Sequence, residues 1–179
     1  MRSEEAPAFF FGDNMGYEHI VHGFEPIYDR SSRVLILGSL PSVRSREQNF
    51  YYGHPQNRFW RVIASLCGED VPQTISEKTA MLLRHGIAVW DVVSECDIIG
   101  SSDASLKNVV PTDIRSILDA SDIQCIYVNG GAASRIFDKY QKEVTGCDAV
   151  RLPSTSPANA AYSLERLISA WSCITAHIK

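Results

Sequence analysis

Arg33-Val34-Leu35-Ile36-Leu37-Gly38-Ser39-Leu40-Pro41-Ser42 is the stretch whose reading decides the fold. Four consecutive apolar residues closed by glycine, serine and proline read as a short strand buried on both faces, the habit of strands in a parallel sheet. Three later runs have the same character: Ile87 to Val93, Ile123 to Val128 and Ala149 to Leu152. Helical patterns separate them. Arg58 to Cys67 carries apolar residues at 59, 60, 62, 63 and 66; Thr74 to His85 opens with a Thr74-x-x-Glu77 capping box and stops at Gly86. Pro111 to Ala120 starts with proline in a first turn, Ala132 to Lys142 follows a Gly130-Gly131 turn, and a closing helix aligns Leu164, Leu167, Ile168, Trp171 and Ile174. Strands alternating with helices predict an α/β protein, a three-layer α/β/α sandwich around four parallel strands with right-handed crossovers.

Working outward, the 179 residues suit one globular domain, with 45% hydrophobic and 21% charged residues. Residues 1 to 17, acidic and aromatic without period, are expected to be a mobile N-terminal extension, leaving 18 to 179 as a single domain. Glu4 and Glu5 before Phe9 to Phe11 do not make the basic start and long apolar core of a secretion signal, and no apolar run approaches the roughly 18 residues of a membrane span. A cytoplasmic protein is expected. The five cysteines lie 22 to 29 residues apart with no C-x-x-C pair, so they read as reduced thiols filling the core rather than as metal ligands.

The net charge of −4, taken whole, favours a small-molecule enzyme over a nucleic-acid partner. It is a sum over unlike regions. Residues 1 to 29 carry −5, residues 30 to 61 carry +5 entirely through arginine, and residues 62 to 179 carry −4. The basic segment coincides with the longest irregular connection, so the acidic total does not argue against DNA.

Ligands of open α/β sheets bind at the carboxyl ends of the strands. The connections expected there are Gly38 to Ser42 with the following run Phe50-Tyr51-Tyr52-Gly53-His54-Pro55-Gln56-Asn57-Arg58-Phe59-Trp60, the loop Ile98 to Ser105, and Leu152-Pro153-Ser154-Thr155-Ser156-Pro157-Ala158-Asn159. No G-x-G-x-x-G or Walker loop is present, which removes support for a generic nucleotide-binding domain.

Together these segments resemble the uracil-DNA glycosylase superfamily, most closely its hypoxanthine-DNA (deoxyinosine) glycosylase branch, over about Gly23 to Ile178. The eleven-residue aromatic and H-P-Q-N-R-F-W block is the specific part. The resemblance implies a central parallel four-stranded sheet and a monomeric enzyme that flips a deaminated base out of DNA and hydrolyses its N-glycosidic bond without metal or cofactor. Ser39 stands where relatives that excise uracil or thymine usually carry Asp or Asn, which favours inosine sites. A uracil or broader lesion choice and a non-catalytic lesion-binding module are the alternatives.

The resemblance makes Asn57 the catalytic residue, its amide orienting the attacking water; the same position suits a helix N-cap. Ser39 contributes through its hydroxyl or backbone. His54 is a rival that could protonate the leaving purine or serve as a turn donor. Gly38, Leu40, Tyr52 and, behind it, Phe50 form the base pocket, with Tyr51 supporting the fold; a stacked base is worth roughly 1–3 kcal/mol on an aromatic platform. Asp103 could accept the N1–H of hypoxanthine or simply shape a turn, with Asp91 a weaker candidate. Pro41, Ser42, Arg58, Ser154, Thr155, Ser156 and Pro157 are expected at the DNA backbone. No lysine occurs between Arg33 and Glu77, so a Schiff-base nucleophile is absent from the first motif and the enzyme is monofunctional.

Overall fold

A computed structural model describes residues 16–100 and 102–179; most of the expected N-terminal extension, 1–15, and Ser101 lie outside the described residues. Two sheets are present. The larger is the parallel one, β2 (Val34–Gly38), β3 (Ile87–Asp91), β6 (Cys125–Asn129) and β7 (Ala149–Leu152), in the spatial order β3-β2-β6-β7.

Strand β2 lies in the middle and is fully buried because both of its faces are covered. Val34 and Ile36 pack on one side with α2 (Phe59–Cys67), α3 (Ile75–Arg84) and α7 (Leu164–Trp171). Leu35 and Leu37 pack on the other with α4 (Ile114–Ala120) and α5 (Gly131–Tyr140). That alternation is the period-two rule of a strand between two helical layers. The Thr74/Glu77 capping box forms as its sequence predicts, and Gly86 sits at φ +69° just beyond α3.

The second sheet was not expected. Strands β1 (Glu18–Val21), β4 (Val93–Ile98) and β5 (Lys107–Pro111) form an antiparallel sheet in the order β1-β4-β5. The run Ile87 to Val93 is therefore two strands. At Val92 and Val93 the chain leaves the parallel sheet while their amides bond Gly38 and Ser39 carbonyls, so the crossing is pinned at the end of β2. Pro111 closes β5 instead of opening a helix, which an edge strand tolerates because no ladder donor is lost in the interior. Helix α4 starts later, capped by Asp113.

Three smaller differences follow from local chemistry. Helix α1 (Val43–Gln48) occupies the connection expected to be irregular, with Ser42 as its side-chain cap. The expected helix Ala132 to Lys142 divides at Gln141 into α5 and α6 (Lys142–Thr145); Gln141 is buried and donates to the Thr112 carbonyl at 2.7 Å. Ile174 lies in a 3-10 turn after α7. Cysteines 67, 125 and 147 are partly buried against the cores, Cys96 is buried and Cys173 is exposed. Among the described residues no helix is long and apolar enough to cross a membrane.

Candidate active site

The carboxyl ends of β2, β3 and β6 and the loop after β7 surround a cavity of about 190 Å³. A cavity of that size has room for a single nucleobase. Its wall includes Gly38, Ser39, Leu40, Pro41 and Ser42, so the whole turn after β2 faces it. Gly38 has no room for a side chain: a Cβ there would stand 2.3 Å from Asp91 Oδ1 and 3.4 Å from Tyr52 Oη. Glycine lets the β2 backbone and the Asp91 carboxylate share one wall.

Tyr52 holds φ +53°, an uncommon conformation for an aromatic residue, in the turn between α1 and α2. Its ring stacks on Phe59 with centroids 3.8 Å apart and planes 18° from parallel, and its hydroxyl is buried without a well-formed hydrogen bond among the described residues. Burial first, then the nearby Asp91 charge, pushes the phenol above its ordinary range against a smaller opposing contact from the Asn129 side chain, so it stays an O–H donor. Tyr51 is 2% exposed and donates to the Glu25 carbonyl at 2.9 Å, the supporting role expected of it, although it also borders the cavity. Phe50 departs from expectation. It stacks on Trp60 inside the core and does not border the cavity, because its ring belongs to the layer beneath the sheet.

Asn57 lines the cavity, half-buried. Its Oδ1 accepts the Phe59 amide at 3.0 Å while Arg58 occupies the formal cap position of α2, so Asn57 organises the first turn and faces the site together. His54 is not part of the wall. Its Nδ1 accepts from the Gln56 amide at 3.2 Å and its carbonyl from the Asn57 amide, which makes it a turn residue rather than a catalytic acid. Ser39 donates its hydroxyl to Asp103 at 3.3 Å. Asp103 borders the cavity from a short 3-10 turn, its carboxyl raised above the ordinary range by desolvation and held back by the Ser39 bond and Arg135.

The loop from Leu152 to Asn159 is fastened from inside. Arg58, expected at the DNA backbone, is instead a clamp: its guanidinium donates to the carbonyls of Thr155, Ser156, Asn159 and Tyr162. Thr155 likewise turns inward, fully buried, accepting from Asn129 Nδ2 at 2.9 Å and giving its amide to Asn129 Oδ1 at 3.0 Å. Ser154 and Ser156 border the cavity and Pro157 is exposed at the tip. Ser42 caps α1 while lining the wall, and Pro41 lines it from a buried position.

Several residues at the site were not assigned to it by the sequence or, like Asp91, only as weaker candidates. Arg46 joins the wall from α1, an element read as irregular. Arg135 and Arg151 are exposed and bring their guanidiniums to the start of α5, 3.5 Å and 2.8 Å from where a Gly131 Cβ would stand. Asn129 ends β6 at the wall and holds the Thr155 loop. Asp91 is 5% exposed at the end of β3, with its Oδ2 2.8 Å from His22 Nε2. A period-two or 3.6 pattern does not report a lone histidine 69 positions away; only the fold brings the pair together.

The uracil DNA glycosylase superfamily model matches residues 25–173. A Methanosarcina acetivorans protein named hypoxanthine DNA glycosylase is 32% identical over 162 residues, covering 88% of this chain and 99% of that protein. A Methanosarcina barkeri protein of the same name is 36% identical over 111 residues, 60% of this chain and 70% of its own. The solution NMR structure of a uracil DNA glycosylase candidate from Methanosarcina acetivorans superposes with TM-score 0.74 at 30% identity, covering 86% of this chain and 94% of that one. The cavity at the strand ends and the extent of these matches agree: the chain belongs to the uracil DNA glycosylase superfamily, on the branch of the hypoxanthine DNA glycosylases.

Proposed function

We infer that this protein is a DNA repair glycosylase that takes hypoxanthine out of the helix and hydrolyses its N-glycosidic bond, leaving an abasic site. The observation that carries the reading is a nucleobase-sized cavity at the sheet edge with Asn57 in its wall. A base inside a duplex is out of reach, so it must be extruded at a cost of a few kcal/mol, least for a mispaired or damaged base. The cavity receives it beside Tyr52.

Bond cleavage places positive charge on the sugar and negative charge on the departing purine. Asn57 does not take a proton at neutral pH. With one lone pair of Oδ1 committed to Phe59, its remaining lone pair and its NH₂ group orient the water that captures the sugar cation. The turn Gly38 to Ser42 faces the purine and offers backbone N–H groups to its developing charge. In this reading Ser42, Ser154, Ser156, Arg46, Arg135 and Arg151 serve the flanking phosphates, and the exposed Pro157 tip fills the vacated stack.

The test is incubation of the purified chain with oligonucleotides bearing a single deoxyinosine, deoxyuridine or deoxyxanthosine. Alkali-sensitive cleavage strongest on the inosine strand is expected. An intact inosine strand at stoichiometric protein refutes the reading.

A further inference from the structure

Two groups in the cavity are unexplained by hydrolysis alone. Tyr52 Oη is buried and makes no well-formed hydrogen bond among the described residues, only a loose approach to the Asn129 side chain, although an unmade bond on a buried hydroxyl costs about 1–3 kcal/mol. Asp91 is a carboxylate at 5% exposure with one oxygen, Oδ2, taken by His22 Nε2 at 2.8 Å. The other oxygen, Oδ1, and Tyr52 Oη stand 2.3 Å and 3.4 Å from where a Gly38 Cβ would lie, without bonding each other, and both residues line the cavity. A polar pair of this kind, half satisfied in the free protein, fits a ligand that completes it.

The pair has defined polarity. An ionised carboxylate only accepts, and since Oδ2 accepts from His22, Nε2 carries the hydrogen. The Tyr52 phenol, held protonated by its surroundings, donates. The edge that matches is a lactam, an N–H donor beside a carbonyl acceptor. Hypoxanthine presents N1–H and O6 in that order; adenine presents the reverse, an acceptor at N1 and a donor at N6. We propose that Asp91 Oδ1 and Tyr52 Oη read the N1–H and O6 edge of the flipped base, and that His22 is a positioning residue that fixes Asp91 for that contact. This rests on the glycosylase reading and names the group that separates the deaminated base from its parent.

The geometry ranks Asp91 above Asp103. Asp103 lies on an exposed turn and holds a long 3.3 Å bond from Ser39, whereas Asp91 is 5% exposed and fixed on one oxygen at 2.8 Å by His22. Ring stacking of Tyr52 on Phe59 holds the phenol in place from behind.

Single-turnover kcat/KM is measured on duplexes carrying deoxyinosine or N1-methyldeoxyinosine, for the wild-type chain and for Tyr52→Phe, Asp91→Asn, Asp103→Asn, His22→Phe and His22→Gln, with melting temperatures alongside. Tyr52→Phe removes a hydroxyl that makes no well-formed hydrogen bond, so a structural role predicts nearly unchanged stability and full activity; the lactam contact predicts at least a tenfold loss on inosine at unchanged melting temperature. Asp91→Asn and the N1-methyl substrate each lose about a hundredfold or more. His22→Phe behaves like Asp91→Asn, while His22→Gln, which restores an N–H donor, recovers most of the rate. An active wild type that processes the N1-methyl strand as fast as inosine, a full-rate Tyr52→Phe, or a selectivity loss in Asp103→Asn in place of Asp91→Asn overturns this inference alone. A wild type inert on inosine overturns the glycosylase reading and this one with it.

Discussion

Asn57 accepts the backbone amide of Phe59 at 3.0 Å, which ties the residue assigned to the water to the first turn of α2. One side chain therefore has a folding role beside the chemical role proposed for it, and substitutions separate them. Asn57→Asp keeps the acceptor and should melt within a degree or two of the parent. Asn57→Ala loses it and should cost about 1 kcal/mol, seen as roughly 2–4 °C in a chain of this size. Both should lower the rate on inosine by a hundredfold or more, Asp because a charge replaces the NH₂ group facing the water. A fully active Asn57→Ala removes Asn57 from the mechanism.

Arg58 is next in sequence and has a different task. Its guanidinium spans four backbone carbonyls between Thr155 and Tyr162, so Arg58→Ala should strip the charged donors from the loop, leave it with its weaker backbone bonds, and destabilise by about 3 kcal/mol, given the strength of charged hydrogen bonds. Hydrogen exchange should rise within residues 153–162 ahead of the sheet. If exchange there stays at the parental level, the clamp is not what orders the loop.

These two neighbours show what the sequence makes legible. The four apolar runs set out the parallel sheet because burial on both faces leaves a continuous pattern, and the Thr74/Glu77 box and the Ala149 to Leu152 strand form where composition places them. The antiparallel sheet was hidden: β4 reads Val-Ser-Glu-Cys-Asp-Ile, a period of two interrupted by register shifts, and it runs on from β3 with one residue between. At the site, the H-P-Q-N-R-F-W block pointed to Asn57, but type and position alone could not say which way Arg58 or Thr155 would turn. Those orientations depend on carbonyls about a hundred residues away for Arg58 and on Asn129 for Thr155. His22 beside Asp91 and Arg135 beside Arg151 are tertiary pairings with no local signature.

Acid stability should depend on Glu69. Hydrogen bonds from Arg84 first and His85 second, each at 2.6 Å, hold its carboxyl down from 4.5 to about 2. A folded-state value below the unfolded one means the contribution is fully present above about pH 4.5 and is lost as pH falls toward 2. Urea midpoints of the parent and Glu69→Gln should therefore differ at pH 6 and converge near pH 2. A gap that is constant with pH would assign the effect to packing or to the neutral hydrogen bonds.

Arg135 and Arg151 offer the sharpest test of where DNA lies. Both are exposed, and their guanidiniums meet at the amino end of α5, one turn from the Ser154 loop and on the Asp103 side of the cavity. Helix N-termini and guanidiniums without a close ion-pair partner among the described residues together favour a phosphate. Each phosphate neutralised steepens the fall of log K with log salt by about 0.9. The Arg135→Gln/Arg151→Gln double variant should bind an inosine duplex more weakly and show a salt slope shallower by roughly two, with its melting temperature and its rate at saturating DNA close to parental. Arg58→Lys gives the contrast, because a residue spent on protein carbonyls has no counterion to release: its slope should match the parent. A double variant with the parental slope would move the DNA path off this edge, toward Arg46 and the α1 side of the cavity.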